Sequence, residues 1–141
     1  MDIKDFFKKD IFALEAGVEL LEVGNGTARA RMEISSKHLN GGGVCQGGAI
    51  FTLADLAFAA AVNSHAELTF SIWANIQFFK AESHGYLYAD AKEIFNRGKL
   101  ASAEVRITNE SGELIATFSS MGYHKGTPLP FEKVVNDNLT K

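Results

Sequence analysis

The chain has 141 residues, 46% of them hydrophobic and 22% charged, and carries a formal net charge of -3. That balance fits one ordinary globular domain able to bury a core without staples. The mild acidity leaves no electrostatic footprint for nucleic acid and no polybasic patch for a membrane surface. A single cysteine, Cys45, excludes an intramolecular disulfide and fits a reducing compartment.

Charges interrupt every apolar run of the opening segment, Met1 to Asp10, which argues against a signal peptide. No stretch reads as the ~18 uncharged apolar residues of a membrane span, so a cytoplasmic protein is expected. There is no internal repeat and no low-complexity block. Residues 2–12 suit a short surface helix, and residues 1–14 are taken as the N-terminal helical part of a single domain over 1–141.

Alternating apolar positions from Val18 to Ile34, broken at Gly24-Asn25-Gly26, predict a hairpin whose Asn-Gly turn tolerates positive φ at both residues. Residues 35–46 read as a glycine-rich loop. Residues 49–62 are apolar nearly all round and rich in alanine, which predicts a buried helix. Segments 70–79, 86–95, 100–108 and 114–123 read as strands, with turns at Asn96-Arg97-Gly98-Lys99 and Asn109-Glu110-Ser111-Gly112. The tail, 125–141, is expected to wrap the surface or fray. The expected fold is α+β, an antiparallel sheet covering one long central helix.

Between His38 and Ala66 the only formal charge is Asp55, inside the most apolar helix. A carboxylate is rarely buried unpaired, since that costs several kcal/mol or drives its pKa upward. Asp55 is therefore a candidate general base or nucleophile. The plainer alternative, equally weighted on these grounds, is a cap or a residue reaching solvent at a subunit edge. Gly47 and Gly48 precede the helix, where free N–H groups and the helix dipole could polarise a carbonyl. A loop ending is the bland reading of the same two glycines. Asp55 lies eight residues after Gly47, or about 12 Å of helical rise. The two are too far apart to serve one atom from one chain, which predicts a site shared across a dimer.

The stretch from His38 through Asn40, Gly43, Gln46-Gly47-Gly48 and Leu53-Ala54-Asp55 resembles the signature of hotdog-fold acyl-CoA thioesterases of the phenylacetate-degradation type, within the 4-hydroxybenzoyl-CoA thioesterase-like superfamily. Asn63-Ser64 and the strand Ser71-Ile72-Trp73-Ala74-Asn75-Ile76-Gln77-Phe78-Phe79 extend the resemblance, which covers roughly residues 15–124. It implies hydrolysis of an acyl-CoA substrate without a further cofactor, by a homodimer or dimer of dimers (a homotetramer). Asp55 would be base or nucleophile, Gly47 N–H the donor to the thioester oxygen, Asn40 a positioning group and Ser71 a neighbour of the nucleophilic water. The chain departs from the pattern at Gln46, where histidine is usual. Glutamine exchanges no proton near neutral pH but can donate a hydrogen bond, and a hydroxybenzoyl-CoA branch of these enzymes carries glutamine in this region.

Lys80, Arg97 and Lys99 are candidates to meet the CoA phosphates, with Gly48 beside the bound thioester; solvated turns are the alternative for Arg97 and Lys99. Cys45 is expected to be a small packed residue, His38 a structural one, and His65, His84 and His124 show no metal-ligand spacing. No metal is expected. A non-catalytic acyl-CoA sensor is the rival from another class, and a hotdog hydratase or dehydratase the rival among enzymes.

Overall fold

The computed structural model describes residues 1–135. Two short helices, α1 (Ile3–Phe7) and α2 (Ile11–Glu15), precede a hairpin of β1 (Val18–Gly24) and β2 (Thr27–Ile34). The long helix α3 (Gly47–Val62) follows, then β3 (Glu67–Phe78), β4 (Gly85–Arg97), β5 (Leu100–Asn109) and β6 (Leu114–Pro128). The six strands form one antiparallel sheet in the order β1-β2-β4-β5-β6-β3.

The sheet bends around α3, as the apolar composition of that helix demands. Leu53, Ala54, Ala57, Ala60, Ala61 and Val62 have no exposed surface, and they share one core with Ala30, Leu87, Ala89, Ala103 and Ile107 from the strands. Small residues on both sides bring helix and sheet close. Phe58 and Phe118 fill the remaining space with ring centroids 6.3 Å apart. The continuous helical run Gly47–His65 is after all long and apolar enough to cross a membrane; here the sheet takes the place of lipid.

Buried polar residues tie off the helix. Asn63 donates to the Ala59 and Thr69 carbonyls at 2.8 and 3.1 Å and accepts the Thr69 N–H at 2.8 Å. Ser64 Oγ donates to Ala61 O and accepts the Gly26 N–H at 2.9 Å, which pins the β1–β2 turn to the helix end.

Four expectations need correction. The N-terminal helix is two helices, because the Asp10 side chain accepts the Ala13 N–H at 3.1 Å and starts a new helix there. In the hairpin turn only Gly26 adopts positive φ, +75°, and Asn25 does not. Helix α3 begins at Gly47, so both glycines lie within its first turn. The tail does not leave the sheet at His124: β6 runs to Pro128, opposite Glu67 of β3. Beyond it, Leu129 and Val134 N–H bond to Ala66 and Ser64 carbonyls, wrapping the helix end. Residues 136–141 of the expected tail lie outside the described residues.

Phe58 is 1% exposed. Replacing it with alanine should cost about 3–5 kcal/mol, read as a fall in the urea midpoint without a change in slope.

Candidate active site

The loop before α3 is built around His38. The buried ring accepts the Ser35 N–H at Nδ1, 2.9 Å away, so Nε2 carries the proton and donates to the Ala16 carbonyl at 2.6 Å. The His38 carbonyl receives the Gln46 N–H at 2.7 Å, and Cys45 N–H donates to Glu82 O at 2.7 Å. His38 is thus the structural residue expected. Asn40 shapes the glycine-rich turn: its side-chain oxygen accepts the Gly42 and Val44 N–H groups at 2.9 and 3.3 Å. That leaves the Asn40 NH2 as the group free to meet a ligand.

At the helix start, Ala49 and Ile50 donate to the Gln46 carbonyl at 3.0 and 3.3 Å. Among the described residues, neither the Gly47 nor the Gly48 N–H has an acceptor, and Gln46 caps nothing with its side chain. Two donors at the positive end of a 16-residue helix are therefore available to an oxygen from outside. A side chain at either glycine would need a neighbour to move, the Phe78 ring at one and the flexible end of Gln46 at the other. A Cβ on Gly47 would sit 2.9 Å from Phe78 Cζ, and one on Gly48 would sit 2.5 Å from Gln46 Oε1.

One stripe of α3 escapes the sheet: Gly48, Thr52, Asp55 and Ala59, spaced four, three and four apart. The half-buried Asp55 has no hydrogen bond or ion pair among the described residues, so it caps nothing. Burial pushes its carboxyl above the ordinary range, and the charge of Asp10 pushes the same way. Its spacing from Gly47 along the straight helix keeps them about 12 Å apart. Cys45, also buried, has its thiol held protonated by desolvation.

The other expected residues scatter. Ser71 lies on the edge strand β3, its hydroxyl 2.7 Å from Ser120 Oγ, beside a bulge at Ile72. Lys80 follows β3 at the helix-start end, but its ammonium already meets Glu113 at 2.9 Å and Glu82 at 3.6 Å. Arg97 and Lys99 flank the β4–β5 turn, at the other end of the 10-residue strand β5, roughly 30 Å away. A single copy does not bring them to Gly47. His65 instead bonds Glu93 at 3.0 Å, and the buried His124 lies between Thr69 and Asn96 at 2.6 and 2.8 Å. No three His, Cys, Asp or Glu side chains converge among the described residues.

Two residues near the helix start went unread in the sequence. Lys37 and Phe12 line a groove of about 470 Å³ together with Gln46 and Gly48. The signal for Lys37 was available: it is the one lysine or arginine between Arg31 and Lys80. Phe12 had no such mark.

A carboxyl held above its ordinary range is protonated more readily in the fold than in the unfolded chain. Its cost appears as pH rises past the unfolded value and is complete above the folded one. Asp55→Asn should therefore unfold at a higher temperature than the parent at neutral pH. The gap should close as acid protonates the parent's carboxyl, as differential scanning fluorimetry across pH would reveal.

The thioesterase superfamily model matches residues 42–116, which include the helix start and Asp55. A protein of Archaeoglobus fulgidus named as an esterase is 37% identical over 91% of this chain and 84% of its own length. The acyl-coenzyme A thioesterase PaaI of Escherichia coli is 26% identical over 85% of this chain and 86% of its own. The solved structure of the E. coli PaaI protein superposes with a TM-score of 0.85, at 25% identity, covering 89% of this chain and 91% of that one. The wrapped helix, the free donors at its start and these matches agree: the chain belongs to the thioesterase superfamily and is a hotdog-fold thioester hydrolase of the PaaI type.

Proposed function

We propose that the chain hydrolyses an acyl-CoA thioester at a site shared between two copies. The observation that carries this is the separation on α3. Among the described residues, two N–H groups at its start and one carboxylate two turns on have no partner, and they lie too far apart to share an atom. A second copy, placing its Asp55 opposite the first copy's Gly47, completes the pair.

In this reading the thioester oxygen accepts hydrogen bonds from the Gly47 N–H and the Gln46 or Asn40 carboxamide. The donors and the helix dipole stabilise the oxyanion as it forms. The partner copy's Asp55 either removes a proton from the attacking water or attacks the carbonyl itself, giving an anhydride that water then opens. Both routes release a carboxylate and a thiol. The raised carboxyl favours either one, because a poorly solvated carboxylate is the stronger base. Ser71 would hold the water. Gln46 serves only as a hydrogen-bond donor.

The edge strand supports a second copy. β3 pairs with β6 on one side only, and its outer edge carries Phe70, Ile72, Trp73 and Phe78, each 51–60% exposed. An open edge with that much apolar surface invites another strand. A dimer through β3 would also bring Ser71 close to the join.

Asp55→Ala or Asp55→Asn should lower kcat by about 10²–10⁴-fold across a panel of aromatic and aliphatic acyl-CoAs, with thiol release read by a disulfide reagent. Tight binding without release by the parent would instead favour a sensor, the reading that Gln46 in place of histidine keeps open. Ile72→Lys should yield a folded monomer by analytical ultracentrifugation that has lost turnover. A fully active monomer would refute the shared site.

A further inference from the structure

Helix α2 is unusual in what it displays. Of its five residues only Ala13 is buried, while Ile11, Phe12 and Leu14 are 55%, 75% and 52% exposed. Three large apolar side chains on so small an element call for an occupant. Phe12 hangs over the groove at the start of α3. Gly48, Ala49 and Thr52 of α3 line that groove with it. Its volume of about 470 Å³ suits a small-molecule site.

The groove cannot slide relative to the helix start. Lys37 Nζ donates to the Glu15 carbonyl at 2.7 Å and His38 Nε2 to the Ala16 carbonyl at 2.6 Å, so two neighbouring side chains grip the last carbonyls of α2. The same His38 holds the Gln46 N–H through its own carbonyl. The wall and the thioester donors therefore form one unit.

Building on the proposed thioester site, we infer that this groove is the acyl subsite and that Phe12 is a specificity-determining residue. The chemistry of the lining selects the acyl group over the other arm of the substrate. The pantetheine arm of CoA carries two amides that need partners, whereas Phe12, Ala16, Leu39 and Ala49 offer none from their side chains. Most polar groups nearby are engaged: the His38 ring uses both nitrogens, Lys37 gives one of its donors to Glu15, and the Thr52 hydroxyl donates to Gly48 O at 2.8 Å; the Gln46 carboxamide is left for the thioester itself. An acyl chain entering from Gly48 would run beneath the Phe12 ring and cover it.

The test is kcat/KM for acyl-CoAs of graded size with the parent, Phe12→Ala and Phe12→Trp, alongside inhibition by free CoA. An exposed Phe12 can be changed without loss of fold, which circular dichroism would check. Phe12→Ala should move the preference toward bulkier acyl groups by about tenfold or more, the scale on which a few methylenes discriminate. Phe12→Trp should move it toward smaller ones, and inhibition by CoA should stay constant. A uniform change across the series with altered CoA inhibition would place the pantetheine arm in the groove and overturn the inference. So would an unaltered preference. Should the parent itself hydrolyse no acyl-CoA, the underlying reading falls and takes this one with it, a result distinct from either.

Discussion

Helix α3 is too apolar to tolerate water on more than one side. A 16-residue helix with a single charge and no polar face can exist only where something covers it. The sheet supplies that cover, curving until four strands and the hairpin have taken nearly the whole circumference. The stripe through Gly48, Thr52, Asp55 and Ala59 is what remains. The chemistry proposed for the helix start and Asp55 follows from that geometry. The helix start stays open because the sheet does not close over it, and Asp55 is half-buried because its stripe is narrow.

Among the described residues the Asp55 carboxylate has no partner. A cation beside Asp55 would lower its pKa and weaken it as a base. The nearest titrating influence is instead another acid, Asp10, brought in by the N-terminal segment. Sheet and segment together keep the group poorly solvated without satisfying it. Such an arrangement spends stability at one residue, and the well-packed core around Phe58, Leu53 and Val62 offsets the loss.

Much of this was legible in the sequence. A long alanine-rich run with one acid in it identified both the central helix and Asp55, because burial and charge conflict so sharply there. The twelve-ångström spacing followed from helical rise alone. What was not legible depended on pairings between distant residues. Pro128 argues against a strand, yet it closes β6 opposite Glu67, at the strand's last position. The break at Asp10 was written in an ordinary capping residue, but residues 2–12 as a whole suited one short surface helix. The groove under Phe12 draws on α2, the His38 loop and α3 at once, and no local pattern announces such a meeting. Arg97 and Lys99 carried the charge appropriate to phosphates, but the sheet places them at its far end.

The contact between Phe78 and Gly47 limits how the sequence can vary. Phe78 belongs to the edge strand, and its ring occupies the space that any side chain at position 47 would need. Any side chain at 47 asks the half-exposed Phe78 ring to turn aside. A smaller residue at 78 would remove that demand, and packing would then no longer favour the glycine. The two positions are therefore coupled through one contact: what position 47 can hold depends on where the ring at 78 sits. A residue on the rim of the sheet thus guards the identity of the group that would meet the thioester oxygen, although it takes no part in the chemistry itself.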